Sequence, residues 1–219
     1  MQIDFSIGSS PESVKTLCVP DGLSTLTVNT GKSGPIVDVD LAVSEALESP
    51  IDFVPLSQSV FPGDSVAIAL GPEIPATSDV LMALLKCLAR TDVSLSDVHV
   101  VAPFDSDTAT QLRDALSRDY ETVTFSIHDP DDSEGLAYLA ASEAGDPIMV
   151  NRTLCDADVV IPITAVRYEG MLGYNGGFDG LIPEFSDAAT QQRFRKAIIN
   201  GNEGDIKQRR ADVRETAWL

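Results

Sequence analysis

The chain is poor in the residues that most often carry chemistry. Its 219 residues include two histidines, three cysteines and one tryptophan, and only 15 Lys and Arg stand against 34 Asp and Glu. The net charge of −19 and the pI near 4.2 would repel nucleic acid and anionic membrane, so neither is expected as a partner. Cys18, Cys87 and Cys155 are odd in number and far apart. That spacing excludes a disulfide frame and a CxxC knuckle, and it fits free thiols in a reducing cytoplasm. No apolar run approaches the roughly 20 residues of a membrane span. The start, MQIDFSIG, has neither a basic segment nor an apolar core, so no export signal is expected and the expected location is cytoplasmic. Motif chemistry is missing too: there is no GxSxG elbow, no HExxH, no P-loop with its lysine and no GxGxxG opening a helix after the first strand.

What is present is a repeating apolar pattern. Ile3, Phe5 and Ile7 alternate before the turn GSSPES, and Val14 to Val19 is a second extended run, which predicts an N-terminal β-hairpin added to the main sheet. A short helix follows with Asp38 or Asp40 as cap, ended by Pro50. The main pattern begins at Phe61. Val66 to Leu70 is an apolar strand, and a Gly-Pro loop leads to Thr77 or Ser78 as the cap of a helix whose core face is Val80, Leu81, Leu84, Leu85 and Leu88. VHVVAP is the next strand, Asp107 to Arg118 a helix, TVTFSIHD a strand, Gly135 to Ser142 a short helix, Ile148 to Asn151 a short strand and Asp158 to Ile163 the closing strand. Alternating β and α predicts a mostly parallel, Rossmann-like sheet with helices on both faces. Asp187 to Asn200 reads as a further helix capped by Asp187. The 43% hydrophobic content supplies a proper core for one α/β domain.

The stretch from Asp156 to Phe185 has the character of a site. After a strand of Val159, Val160, Ile161 and Ile163 come Arg167, Tyr168 and Glu169, then Gly170, Gly173, Gly176, Gly177 and Gly180. Ligands of open α/β sheets sit at the carboxyl ends of strands, where glycine lets backbone approach closely. The plain alternative is a tight surface loop. Nine of the 15 Lys and Arg lie after residue 151, among them Arg152 and Arg167, so an anionic ligand is most easily held in this last third. His128, in SIHDPDD, has Asp129, Asp131 and Asp132 beside it. The imidazole could orient a base or hold a metal, or the stretch is an Asx-type turn after a strand. His99, inside VHVV, reads as a core or sheet-face residue, and the acids after Cys155 argue against a nucleophilic thiol there.

The order of ALESPIDFVPLSQSVFPGDSVAIAL, GPEIPATSDVL, HDPDDSEGLAYL, GDPIMVNRTLCDADVVI and GYNGGFDGLIPEFSD resembles the N-terminal half of the nickel-dependent lactate racemase family, from about residue 3 to the end. The resemblance implies an α/β first domain, a second domain closing over it and a nickel pincer nucleotide in the cleft. It places cofactor contacts at Pro72, Ser106, Arg152, Arg167, Gly173, Asn175, Gly176 and Gly177, and catalytic groups at Glu169, Asp179 and His128. The family's own residues are mostly replaced. Its anchoring lysine falls at Asp179, one histidine at Glu169, an arginine at Ile74, another histidine near Ser106 or Asp107 and a nickel-ligating histidine near Arg195. Glu169 and Asp179 are hard oxygen donors that suit Mg²⁺, Ca²⁺ or a cationic group better than nickel. No metal site is therefore assigned, and which cofactor binds is left open.

Two readings follow: a racemase- or epimerase-like isomerase altered in substrate or cofactor, or a non-catalytic ligand-binding module that keeps the fold. The expected ligand is a small organic acid or a nucleotide-derived molecule. Residues 1 to 200 are expected to form the domain and 201 to 219 a connector helix toward a C-terminal domain. That helix would carry Lys207, Arg209, Arg210 and Arg214 on its wet side and Val213, Ala217 and Trp218 against its own domain, a second copy or that C-terminal domain.

Overall fold

The computed structural model describes residues 2–6, 14–18, 36–72, 74–103, 106–142, 145–166 and 180–200, and of 2–6, 14–18 and 195–200 the backbone alone. The chain divides into two compact units, Met1–Val37 and Asp38–Leu219. In the first, β1 (Gln2–Ser6) and β2 (Val14–Cys18) pair antiparallel, with Gln2 opposite Cys18 and Ser6 opposite Val14. They form a two-stranded sheet of their own and not the expected addition to the main sheet.

The second unit opens with α1 (Val39–Glu48), where Asp38 accepts the Leu41 N–H as N-cap, and α2 (Leu56–Ser59). Asp40, the other candidate cap, instead pairs with Lys86. The apolar run then becomes β3 (Val66–Leu70), followed by α3 (Thr77–Leu88), β4 (Val98–Ala102), α4 (Asp107–Asp119) and β5 (Thr124–Ile127). Next come β6 (Leu136–Ala141), β7 (Pro147–Asn151), α5 (Arg152–Cys155), β8 (Val159–Ile163) and α6 (Ala188–Asn200). The main sheet has the order β5-β4-β3-β8, and every neighbouring pair in it is parallel.

Alternate residues of β3 and β4 serve two different layers. Val66, Ile68, Leu70, Val98 and Val100 pack against Leu81, Leu84, Leu85 and Leu88 of α3 and Leu112 and Leu116 of α4. Burying each of these leucines contributes about 1.5–3 kcal/mol. Ala67, Ala69 and Val101 point the other way, against Ile148 and Val150 of β7, Leu154 of α5, Ile182 and Phe185. The helical expectation for residues 135–142 fails here, because Leu136–Ala141 pairs antiparallel with Pro147–Asn151, with an irregularity between Tyr138 and Ala140. Alanine and leucine favour helix, but so short an isolated helix is marginal. The neighbouring strand satisfies the backbone instead. This ladder covers the sheet and is no part of it, so the run of parallel strands is interrupted between β5 and β8.

Among the described residues β8 is an edge strand. Val159 donates to the Ser65 carbonyl and the Ile163 carbonyl accepts from Gly71, so the odd-numbered residues face β3 and the polar backbone groups of Val160 and Pro162 turn outward. Pro162 has no N–H to offer there, and proline is accepted in sheets at such edges. Asp158 ties the start of the pair: its carboxylate accepts from the N–H and the hydroxyl of Ser65. These bonds, the backbone one foremost, hold its carboxyl below the usual carboxylate range. Among the described residues no helix is long and apolar enough to cross a membrane.

Candidate functional site

Because β3, β4 and β8 run parallel, the loops after Leu70, Ala102 and Ile163 leave the same edge of the sheet, as expected. Between the first two lies a cleft of about 220 Å³ lined by Gly71, Pro72, Ile74 and Thr77 on one side and Ala102, Pro103, Ser106 and Thr108 on the other. A Cβ on Gly71 would sit 3.1 Å from the Ile163 carbonyl oxygen, so glycine lets the β3 loop run close to β8.

Both following helices begin at the cleft, and they begin differently. Ser106 caps α4 by accepting the Ala109 N–H at 3.0 Å. α3 has no such cap: its N-cap is Ala76, in the left-handed region at φ 51°, with no side-chain hydrogen bond. Thr77, one of the expected caps, turns its hydroxyl to the Ile74 carbonyl instead. Among the described residues no side chain caps the first N–H groups of α3, and the positive end of a helix dipole favours an anion beside it.

The third loop leaves β8 at Thr164 and returns at Gly180. A Cβ on Gly180 would come within 1.8 Å of Thr164 Cγ2, so only glycine lets the returning chain lie against the strand end. Arg167, Glu169, Gly173, Asn175, Gly176, Gly177 and Asp179 lie outside the described residues, as do residues 201–219 with the expected connector. Both ends of the glycine-rich stretch are nevertheless at the sheet edge that carries the cleft.

Pro72 and Ser106 are brought together in the cleft; His128 and Arg152 are not among its lining residues. His128 is 3% exposed and engaged on both nitrogens. Its Nε2 is 3.0 Å from the Ser186 carbonyl, which can only accept, so that nitrogen carries the proton, and Nδ1 accepts from Asn151 Nδ2 at 3.3 Å. Its ring lies against Phe185, with centroids 5.9 Å apart. Burial lowers its pKa, while the Ser186 bond and the charge of Asp129 act weakly the other way. The aspartates beside it make the turn that the sequence offered as the alternative, since Asp129 accepts the Asp131 N–H. Arg152 donates through Nε to the Glu134 carbonyl and through Nη2 to that of Leu136, which fastens α5 to β6.

His99 is half-buried in β4 with Nε2 2.9 Å from Ser126 Oγ, the sheet-face position expected of it. The Cys155 thiol is pushed up by burial and then by Asp156. Sequence reasoning missed Ala76, and nothing in the sequence signals a left-handed alanine. The Asn151 amide beside His128 was equally hidden, because the two are 23 positions apart.

The model of the lactate racemase N-terminal domain matches residues 12–205. The chain belongs to that family. The fold is similar to that of the lactate racemase apoprotein from Thermoanaerobacterium thermosaccharolyticum, with a TM-score of 0.61 and 20% identity over 87% of this chain and 45% of that one. It is also similar to a structural-genomics protein from Thermotoga maritima, with a TM-score of 0.55 and 17% identity over 74% and 40% of the two chains. No curated protein matches the chain. The present domain therefore spans less than half the length of the lactate racemase it resembles.

Of the two described positions that bear on a nickel pincer nucleotide, Ile74, where the resemblance places an arginine, presents an aliphatic side chain to the cleft, and Ser106 Oγ accepts the Ala109 N–H as the cap of α4. Among the described residues no three His, Cys, Asp or Glu side chains gather as a metal site.

Proposed function

We propose that this lactate racemase-like domain is the anion-holding half of an enzyme that inverts or isomerises a small 2-hydroxy acid, working with a second domain. The observation that supports the reading is the cleft at the strand ends, with the uncapped start of α3 on one wall. A carboxylate placed there receives N–H groups that have no side-chain acceptor among the described residues, and the apolar Ile74 suits the rest of a small ligand. In this reading Glu169 and Asp179, from the stretch that returns at Gly180, serve as acid and base. Gly173, Asn175, Gly176, Gly177 and Arg167 hold the ligand or a cofactor from that side. His128, sealed by Ser186 and Asn151, positions the edge without exchanging protons with a ligand. Arg152 belongs to the scaffold.

The second reading is a binding module without turnover, and Ile74 is what favours it, because a site for a charged cofactor loses its cation there. Polarimetry on D- and L-lactate and related 2-hydroxy acids, with isothermal titration of the same compounds, separates the two. With the second domain present, the enzyme reading expects optical inversion, falling about 10²- to 10⁴-fold in Glu169→Gln or Asp179→Asn with binding kept. Binding without inversion favours the module. Thr108→Glu, which sets a carboxylate on an exposed position of the cleft, should weaken binding in either case. Binding indifferent to that charge would remove the cleft from the proposal.

A further inference from the structure

The cleft at the strand ends is walled by two segments that carry no positive charge. Residues 71–85 and 102–112 contain no Lys or Arg, whereas Glu73, Asp79, Asp105 and Asp107 fall in them. Among the described residues the lining is uncharged throughout. Much of it is apolar: Ala102, Ala109 and Leu112 are buried, and Ile74, half-buried, comes from the other segment. Two hydroxyls of the wall are already engaged, since Thr77 donates to the Ile74 carbonyl and Ser106 accepts the Ala109 N–H. A second anionic group on a ligand would therefore meet no cation from either segment and would exchange its hydration for aliphatic neighbours, which is costly. An aliphatic group placed there gains instead.

Size narrows the choice further. An apolar cavity of about 150 Å³ accepts benzene, and this cleft, at about 220 Å³, is about half as large again. Lactate has as many non-hydrogen atoms as benzene and would leave part of the cleft to water. 2-Hydroxy-4-methylpentanoate has half as many again. With its carboxylate at the start of α3, such a molecule still has a branched carbon tail to place, and Ile74, Ala109 and Leu112 are the side chains that the cleft offers it.

We propose that the cleft selects monocarboxylates with a branched aliphatic tail, the 2-hydroxy acid among them being of the size of 2-hydroxy-4-methylpentanoate, over lactate and over dicarboxylates, and that Ile74 sets this preference. The inference rests on the reading of the cleft as a carboxylate site. Isothermal titration of the full chain with lactate, 2-hydroxybutanoate, 2-hydroxy-4-methylpentanoate and malate tests it. Each further buried carbon should tighten binding about three- to fourfold, so that the branched acid exceeds lactate by more than tenfold while malate gains nothing over lactate. Ile74→Ala should remove most of that margin, and Ile74→Arg should reverse it, placing malate ahead of the branched acid, with the far-ultraviolet circular dichroism unchanged in both. Equal affinity for lactate and the branched acid, malate ahead of both in the unaltered chain, or a margin that survives Ile74→Ala overturns the proposal. 4-Methylpentanoate, which lacks the hydroxyl, separates this failure from that of the proposed reaction. If it binds as tightly as its 2-hydroxy counterpart, the 2-hydroxy acid reading loses its support and the selection by Ile74 stands. If no acid of the series binds, both fall.

Discussion

The two faces of the parallel sheet are held by different physics. On one, Val66, Ile68, Leu70, Val98 and Val100 meet the leucines of α3 and α4, and the buried residues of the layer are all aliphatic. On the other, β3 contributes only Ala67 and Ala69, and a thin layer of β7, α5 and Phe185 is tied down by His128, Asn151 and the Ser186 carbonyl. Apolar area is indifferent to protons, whereas a neutral buried imidazole is not. The helix face should therefore set the size of the stability and the ladder face its pH dependence.

The largest effect expected is on the first face. Leu85→Ala empties a fully buried site and should cost about 2–5 kcal/mol, read from urea denaturation, by the same amount at neutral and mildly acidic pH. His128→Leu tests the second face. It leaves Asn151 Nδ2 without its partner and the Ser186 carbonyl with the Gln191 amide alone, and should cost about 1–3 kcal/mol near neutrality. Its pH signature follows from linkage. The folded pKa of His128 is lowered from 6.5, so below 6.5 the unfolded chain takes up a proton that the buried ring does not. This contribution is complete above 6.5 and is lost as pH falls toward the folded value, and the variant should lack that part of the decline. A pH-dependent loss for Leu85→Ala, or a His128→Leu variant with an unchanged acid limb, would break the comparison.

Asp187→Ala sharpens it from the border of the ladder face, where Asp187 Oδ2 accepts from the N–H groups of Ala189 and Thr190 and caps α6, as the sequence suggested. About 1 kcal/mol should be lost, visible as a lower urea midpoint. The smallest effect belongs to the exposed Asp158, which lies at the sheet rim. Its lowered carboxyl pKa stabilises the fold above 3.8 and stops doing so as pH falls from there through the folded value, so Asp158→Asn should flatten only the most acidic part of the melting-temperature profile.

The same contrast explains what could be read in advance. The strands and helices of the first face announce themselves, because Leu81, Leu84, Leu85 and Leu88 recur at helical spacing and β3 is an unbroken apolar run. The second face is built from small residues and from partners distant in sequence. Leu136–Ala141 has the composition of a helix and becomes a strand only because Pro147–Asn151 lies alongside. At the site, the sheet edge and the placement of Pro72 and Ser106 were legible, since strand direction fixes which loops gather. The left-handed Ala76 and the engagement of Arg152 with β6 were not, for both depend on backbone geometry that no residue pattern encodes.

Pro162 carries a consequence for the behaviour of this chain in a crowd. Open sheets can recruit the edges of their neighbours, and a sheet that did so through β8 would polymerise as its concentration rose. With Val160 and Pro162 turned outward and one of them unable to donate, the hydrogen-bond row that such growth would copy is broken at its centre. The strand that borders the candidate site can stay uncovered by another strand without seeding filaments, which leaves that border free for side chains to recognise.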